Sequence, residues 1–167
     1  MGQGLLVSTR KGLFVYRRGP DGRWVKAGLS FFGDNVSLTL VDPRDHAWYA
    51  ALDHGHFGAK LHRSRDQGAT WTELPAPAYP APPEGHEERD DLGRLIPWKL
   101  IRIWALEAGH PEEPGVLWAG TLPGGLFRSE DGGVSWTPLP AVNDHESTMH
   151  PRNEYGSAVP PASMMVF

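Results

Sequence analysis

Two aspartates, Asp34 in Gly33-Asp34-Asn35 and Asp53 in Asp53-His54-Gly55-His56, have the chemistry of an acid and base pair for glycosidic cleavage. Such cleavage uses two carboxylates flanking the scissile bond, and Arg10 and Lys11 would hold an anionic group of the substrate. The same aspartates suit a plainer task, because aspartate in a turn commonly accepts hydrogen bonds from nearby backbone amides. His54 and His56 alternate along an extended segment, so their imidazoles would point the same way toward a metal, with Asp53 or His86 available as a third ligand. Loop histidines more often bond the backbone, so no metal site and no cofactor is assigned. Trp98, Lys99 and Arg102 complete the set: Trp98 follows Pro97 at a loop exit and offers an amphipathic ring, while Arg102 lies in an apolar run that would line a channel. Asp144 and His145 fall on the same expected face. The ligand these types fit is a carbohydrate or a small anion.

The elements that must position these residues come from a repeat. Leu61-His62-Arg63-Ser64-Arg65-Asp66-Gln67-Gly68-Ala69-Thr70-Trp71 and Leu126-Phe127-Arg128-Ser129-Glu130-Asp131-Gly132-Gly133-Val134-Ser135-Trp136 share one template, about 65 residues apart. A degenerate third copy runs from Leu13 to Trp24. Each copy predicts two strands joined by a turn, then a tight turn and a tryptophan-headed strand. Before the second and third copies come further apolar runs, at 36–41 and 99–107. The repeating unit is therefore a four-stranded antiparallel meander, the form of a β-propeller blade. Blades are expected at about 3–29, 36–75 and 98–139, the first without its innermost strand. Prolines at 75, 77, 80, 82, 83 and 97 make the segment 75–97 a long loop, since proline lacks the amide a strand ladder needs. After Leu139 the pattern fades into an irregular tail, with 162–167 as a possible start of a fourth blade.

The repeated segment resembles the Asp-box, the bacterial neuraminidase repeat of sialidases and many other propellers. In it Ser64, Asp66, Thr70, Ser129, Asp131 and Ser135 supply local hydrogen bonds, Gly68 and Gly133 permit positive φ, and Trp71 and Trp136 fill the space between blades. The chain up to about Leu139 is similar to a bacterial group of sialidase-like, glycosyl-hydrolase-like propellers. The similarity rests on Thr9-Arg10-Lys11-Gly12-Leu13-Phe14, on 55–64 and on 117–129. Members are about twice as long, which implies a truncated member whose missing blades, or self-association, would complete the ring. The sialidase arginine triad has no counterpart here: Arg94-Leu95-Ile96-Pro97 is wrongly spaced and lies in the proline loop. In this fold the Asp-box turns lie away from the functional face. The turns between second and third strands, and the connections between blades, make up the opposite face, where Arg10, Lys11, Asp34, Asp53, His54, His56 and Lys99 gather. His62, Trp48 and Trp118 occupy packing positions.

Composition narrows the function further. A net charge of -4 with dispersed lysines and arginines offers no basic field for nucleic acid. The absence of cysteine excludes disulfides and thiolate metal sites, and fits a reducing cytoplasm. No secretory leader is visible, and no apolar run approaches the roughly 20 residues that cross a bilayer. With 20 glycines, 16 prolines and 7 tryptophans in 167 residues, short strands joined by many turns are expected, an all-β chain. Two functions stay open at this point. One is a glycan-directed enzyme at the channel face; the other is a non-catalytic binding or assembly scaffold, because fold alone does not decide between them.

Overall fold

The computed structural model describes residues 3–139 apart from 83, 86, 88, 90, 91, 96 and 97. Asp144, His145 and the segment 162–167 lie outside the described residues, as does His86. The chain is all-β and forms three antiparallel sheets, the blades of an incomplete propeller. The first sheet holds β1 (Gly4–Thr9), β2 (Gly12–Arg18) and β3 (Trp24–Ser30). The second holds β4 (Val36–Val41), β5 (Trp48–Asp53), β6 (Ala59–Ser64) and β7 (Thr72–Leu74). The third holds β8 (Arg102–Ala108), β9 (Leu117–Leu122), β10 (Gly125–Ser129) and β11 (Thr137–Pro138). In each sheet sequential strands are hydrogen-bonded neighbours, so the connections are short and local.

The leading strands β4 and β8 of the second and third sheets lie against each other, and β1, which turns into β2 as β5 does into β6 and β9 into β10, lies beside β4. Both β4 and β8 carry a bulge at matching positions, Ser37 and Trp104. A bulge adds a residue and tightens the local twist. At Ser37 the hydroxyl bonds the Ala51 carbonyl across the sheet, 3.1 Å away.

Strand alternation gives each blade two faces, and in the middle blade both are covered. Toward the first blade it sends Val36, Ala50 and Leu52, which meet Leu13, with Phe31 and Trp71 at the edge. Toward the third it sends Tyr49, Ala51 and Leu61, which meet Ile103, Leu106, Leu117, Ala119 and Phe127. The five-residue run Trp48–Leu52 is buried throughout for this reason. A strand with one wet face would alternate.

The Ser-x-Asp-x-Gly turns are built alike in the second and third blades. Ser64 and Ser129, each 1% exposed, accept the amides of Gly68 (2.8 Å) and Gly133 (2.9 Å) and donate to Asp66 (2.7 Å) and Asp131 (2.8 Å). Asp66 accepts the amide and hydroxyl of Thr70, and Asp131 those of Ser135. The Thr70 hydroxyl and amide, with Ser64, hold the Asp66 carboxyl at about 2. At Asp131 burial pulls upward, but the Ser135, Ser129 and Val134 donors outweigh it and bring the carboxyl to about 2 as well. Gly68 and Gly133 have φ of 88° and 87°. A Cβ on Gly133 would come within 3.2 Å of Leu74 and 3.4 Å of Leu61, so glycine there serves both the turn and the close approach of the blades.

These turns are also where one blade grips the next. From the second blade, the Tyr49 hydroxyl (3.3 Å) and the Arg63 guanidinium (3.1 Å) donate to the Gly132 carbonyl in the third blade's turn. From the first, Arg17 donates to the Gln67 side chain at 2.7 Å and lies over the Trp48 ring. In the return direction, the Trp71 indole donates to Ser30 (3.1 Å) and that of Trp136 to the Pro75 carbonyl (3.0 Å). Each joint thus pairs an arginine of the earlier blade with the turn of the later one, and a tryptophan of the later blade with a residue at, or just past, the end of the earlier blade's outer strand. A further clasp joins the β4–β5 and β8–β9 turns. The Arg44 fork bonds both oxygens of buried Asp42 (2.8 and 2.6 Å) and reaches the carbonyls of Glu113 (2.5 Å) and Val116 (2.7 Å).

Candidate functional site

Three loops form the face opposite the Ser-x-Asp-x-Gly turns, and backbone bonds knit them together. The Gly33 amide donates to the Lys11 carbonyl at 3.2 Å, joining the β3–β4 connection to the β1–β2 turn. The Asp53 amide donates to the Asn35 carbonyl at 2.8 Å, joining that connection to the end of β5. After Asp53 the chain makes a single 3-10 turn, Gly55–Phe57, which carries His56. Arg10 and Lys11 are exposed on this face, and the Thr9 hydroxyl caps their turn by accepting the Lys11 amide at 3.0 Å.

The structure pairs each candidate carboxylate with a base. Asp53 receives Arg102 of the neighbouring blade through Nη2 at 2.5 Å and Nε at 3.1 Å, and its other oxygen accepts the Gly55 amide at 3.1 Å. Burial pushes the Asp53 carboxyl up, but Arg102 and the Gly55 amide prevail and hold it below the usual carboxylate range. The Asp53 side chain is 13% exposed and that of Arg102 35%, so this is a partly sheltered pair bridging two blades. The Arg102 guanidinium also lies over the ring of Trp104, at the β8 bulge, 5.6 Å from its centre. Asp34 faces His54, with Oδ1 and Nδ1 3.8 Å apart.

Trp98 and Lys99 lead into β8 from the proline loop. Lys99 is exposed. Trp98 is half-buried: its indole donates to the Pro80 carbonyl at 2.7 Å, and its ring lies beside Tyr79. Tyr79 in turn bonds Thr121 at 2.7 Å and packs edge-on against Phe127, so the start of the proline loop is seated on the third blade. Among the described residues of that loop there is one bridge, Arg89 with Leu95.

Other features of this face escape a reading of residue types. Phe32 and Phe57, one in the β3–β4 connection and one in the 3-10 turn, are each 83% exposed. Large apolar rings so exposed on adjoining loops are uncommon in a folded chain and commonly mark recognition surfaces. Nothing in their local sequence distinguishes them from Phe14 or Phe31, and only the fold shows that they point outward. His62 lies within β6. Its Nδ1 is buried without a partner among the described residues, its Nε2 is 3.7 Å from Glu73, and its ring meets Phe31 edge-on. Desolvation lowers its pKa, which Glu73 offsets only in part. Lys60 closes on Glu73 at 2.8 Å. Among the described residues no three histidine or acidic side chains gather as a metal ion would require.

No family model and no curated protein matches this chain. Among solved structures it is similar to YCF48 bound to D1 peptide, with a TM-score of 0.45 and 14% identity, over 80% of this chain and 34% of that one. It is also similar to the GH74 xyloglucanase from Xanthomonas campestris, with a TM-score of 0.42 and 19% identity, over 81% of this chain and 21% of that one. Both are β-propellers, and the chain spans about a third of the length of the first and about a fifth of the second.

Proposed function

We propose that this chain is a binding module of the Asp-box propeller kind, whose loop face takes an acidic oligosaccharide without cleaving it. The observation that carries the reading is the Asp53–Arg102 pair at 2.5 Å. Two-carboxylate hydrolysis needs one carboxyl that keeps its proton, with its pKa raised by an apolar or acidic surrounding. Asp53 has the opposite surrounding, a guanidinium and a backbone amide, and stays ionised. Asp34 stands beside an imidazole rather than a second acid. What the face does offer is cations at Arg10, Lys11 and Lys99 for the acidic groups of a glycan, and exposed rings at Phe32 and Phe57 for its sugar faces.

The test pairs binding with turnover. The chain is presented with immobilised acidic and neutral oligosaccharides, and with a panel of chromogenic glycosides. Binding to acidic oligosaccharides is expected, weakened by about tenfold, or ~1.4 kcal/mol, in a Phe32→Ala/Phe57→Ala variant. No chromophore release is expected. Release that disappears in Asp53→Asn or Asp34→Ala would overturn the reading in favour of a hydrolase.

A further inference from the structure

The first and third blades each present half of a joint that elsewhere in the chain is whole. Among the described residues each joint has two parts, an arginine of the earlier blade (Arg17 in β2, Arg63 in β6) set on the later blade's turn, and a tryptophan of the later blade set on the earlier one. In the third blade Arg128 stands at the position of Arg63. It pairs across its sheet with Trp118 as Arg63 pairs with Tyr49. Among the described residues, however, its bonds stay within its own blade: it lies over the Trp118 ring and pairs with Glu130 and Glu113. In the first blade Trp24 stands at the position of Trp71 and Trp136, and it is 46% exposed. The same outward face of that blade carries Leu5 (46% exposed) and Leu29 (38% exposed), in register with Tyr16 and Phe14.

We infer that these two half-joints meet between two copies of this chain, the third blade of each seated on the first blade of the other, to close a six-bladed ring.

Charge supports this partner. At the turn end of the third blade's outward face stand Glu107, Glu113 and Glu130 with Arg128, an acidic excess among the described residues. At the same end of the first blade stand Arg18, Arg23 and Lys26 with Asp21, a basic excess. Opposed charges of this kind favour head-to-tail contact and disfavour joining like flanks. Two copies related by a two-fold axis along the channel make two identical joints and leave no open flank, as closed symmetry requires. Their loop faces then lie on the same side of the ring, so two copies of the Asp53–Arg102 pair flank one channel. The inference does not depend on what that face binds.

Sedimentation velocity and native mass spectrometry of the full chain test it. The expected species has the mass of two chains of 18.4 kDa. Reversing the acidic flank with Glu107→Lys/Glu130→Lys, or the basic flank with Arg23→Glu/Lys26→Glu, is expected to give monomers. Mixing those two variants restores complementary flanks at both joints, so a dimer containing one of each is expected. That recovery separates lost docking from lost folding. A wild-type chain that stays monomeric at its highest soluble concentration would overturn the proposal. So would a monomer whose Trp118 flank is protected from hydrogen exchange, since the chain's own residues would then cover it. Trimers or open polymers would equally contradict a closed pair, as would a mixture of the variants that stays monomeric.

Discussion

Replacing Arg44 with methionine should open the seam between the second and third blades. The Asp42 and Arg44 side chains are 4% and 9% exposed, and the guanidinium makes four hydrogen bonds, two to Asp42 and two to carbonyls of the β8–β9 turn. Methionine keeps most of the bulk but leaves the Asp42 carboxylate buried without its counter-charge. Breaking a buried pair from one side typically costs about 3–5 kcal/mol. For a chain of this size each kcal/mol lowers Tm by roughly 2–4 °C, so a fall on the order of 10 °C is expected. Thermal unfolding followed by circular dichroism measures it. Removing both partners in Asp42→Leu/Arg44→Met should recover much of the loss, because the uncompensated charge is gone. The pair also sets a pH dependence. Its hydrogen bond with Arg44 is the main cause holding the Asp42 carboxyl below its ordinary 3.8. Stability from the pair is therefore complete above the unfolded value near 3.8 and is lost as pH falls through the lower folded value. In Arg44→Met that part of the acid slope should vanish. A cost below about 1 kcal/mol, the range of an exposed ion pair, would refute the assignment of this clasp as a buried joint.

Other substitutions probe separate links. Ser129→Ala removes the acceptor of the buried Gly133 amide and should cost about 1–3 kcal/mol in urea unfolding. Ser64→Ala should cost less, because Gly68 is only partly buried and water can reach its amide. His62→Phe places in the second blade the residue that Phe127 supplies in the third, and it removes a base whose pKa burial has lowered. A lowered folded value means that stability is full above the unfolded value of 6.5 and falls as pH drops below it. The variant should therefore lose the decline seen in mild acid, with chemical denaturation at pH 7 and at pH 5 as the check.

The repeats made the blades legible because a β-blade writes itself locally. Strand alternation, the glycines of the turns and the tryptophan after each turn all lie within a dozen residues, and the three antiparallel sheets follow from them. The joints were less legible. Arg63 looks like any arginine at the template's repeated spacing, and its partner, the Gly132 carbonyl, is 69 residues away. Asp42 and Arg44 were visible only as a turn, since the contact that gives them weight is made by carbonyls of another blade. At the loop face, the sequence marks Arg102 and Asp53 as chemically capable residues, but for different tasks. That they are each other's partner depends on how β5 and β8 come together across the seam, a distance no local pattern encodes. Phe32 and Phe57 are not legible in the sequence, because exposure is a property of the fold and a phenylalanine in sequence suggests core.

Binding without hydrolysis, as proposed for the loop face, turns on the protonation of Asp53. Carbon-13 NMR titration of the Asp53 side-chain carboxyl measures this directly. With Arg102 in place the midpoint is expected below the ordinary 3.8, rising toward that value in Arg102→Met. A midpoint well above the usual carboxylate range, with Asp53 protonated near neutral pH, would contradict it and restore the general-acid role.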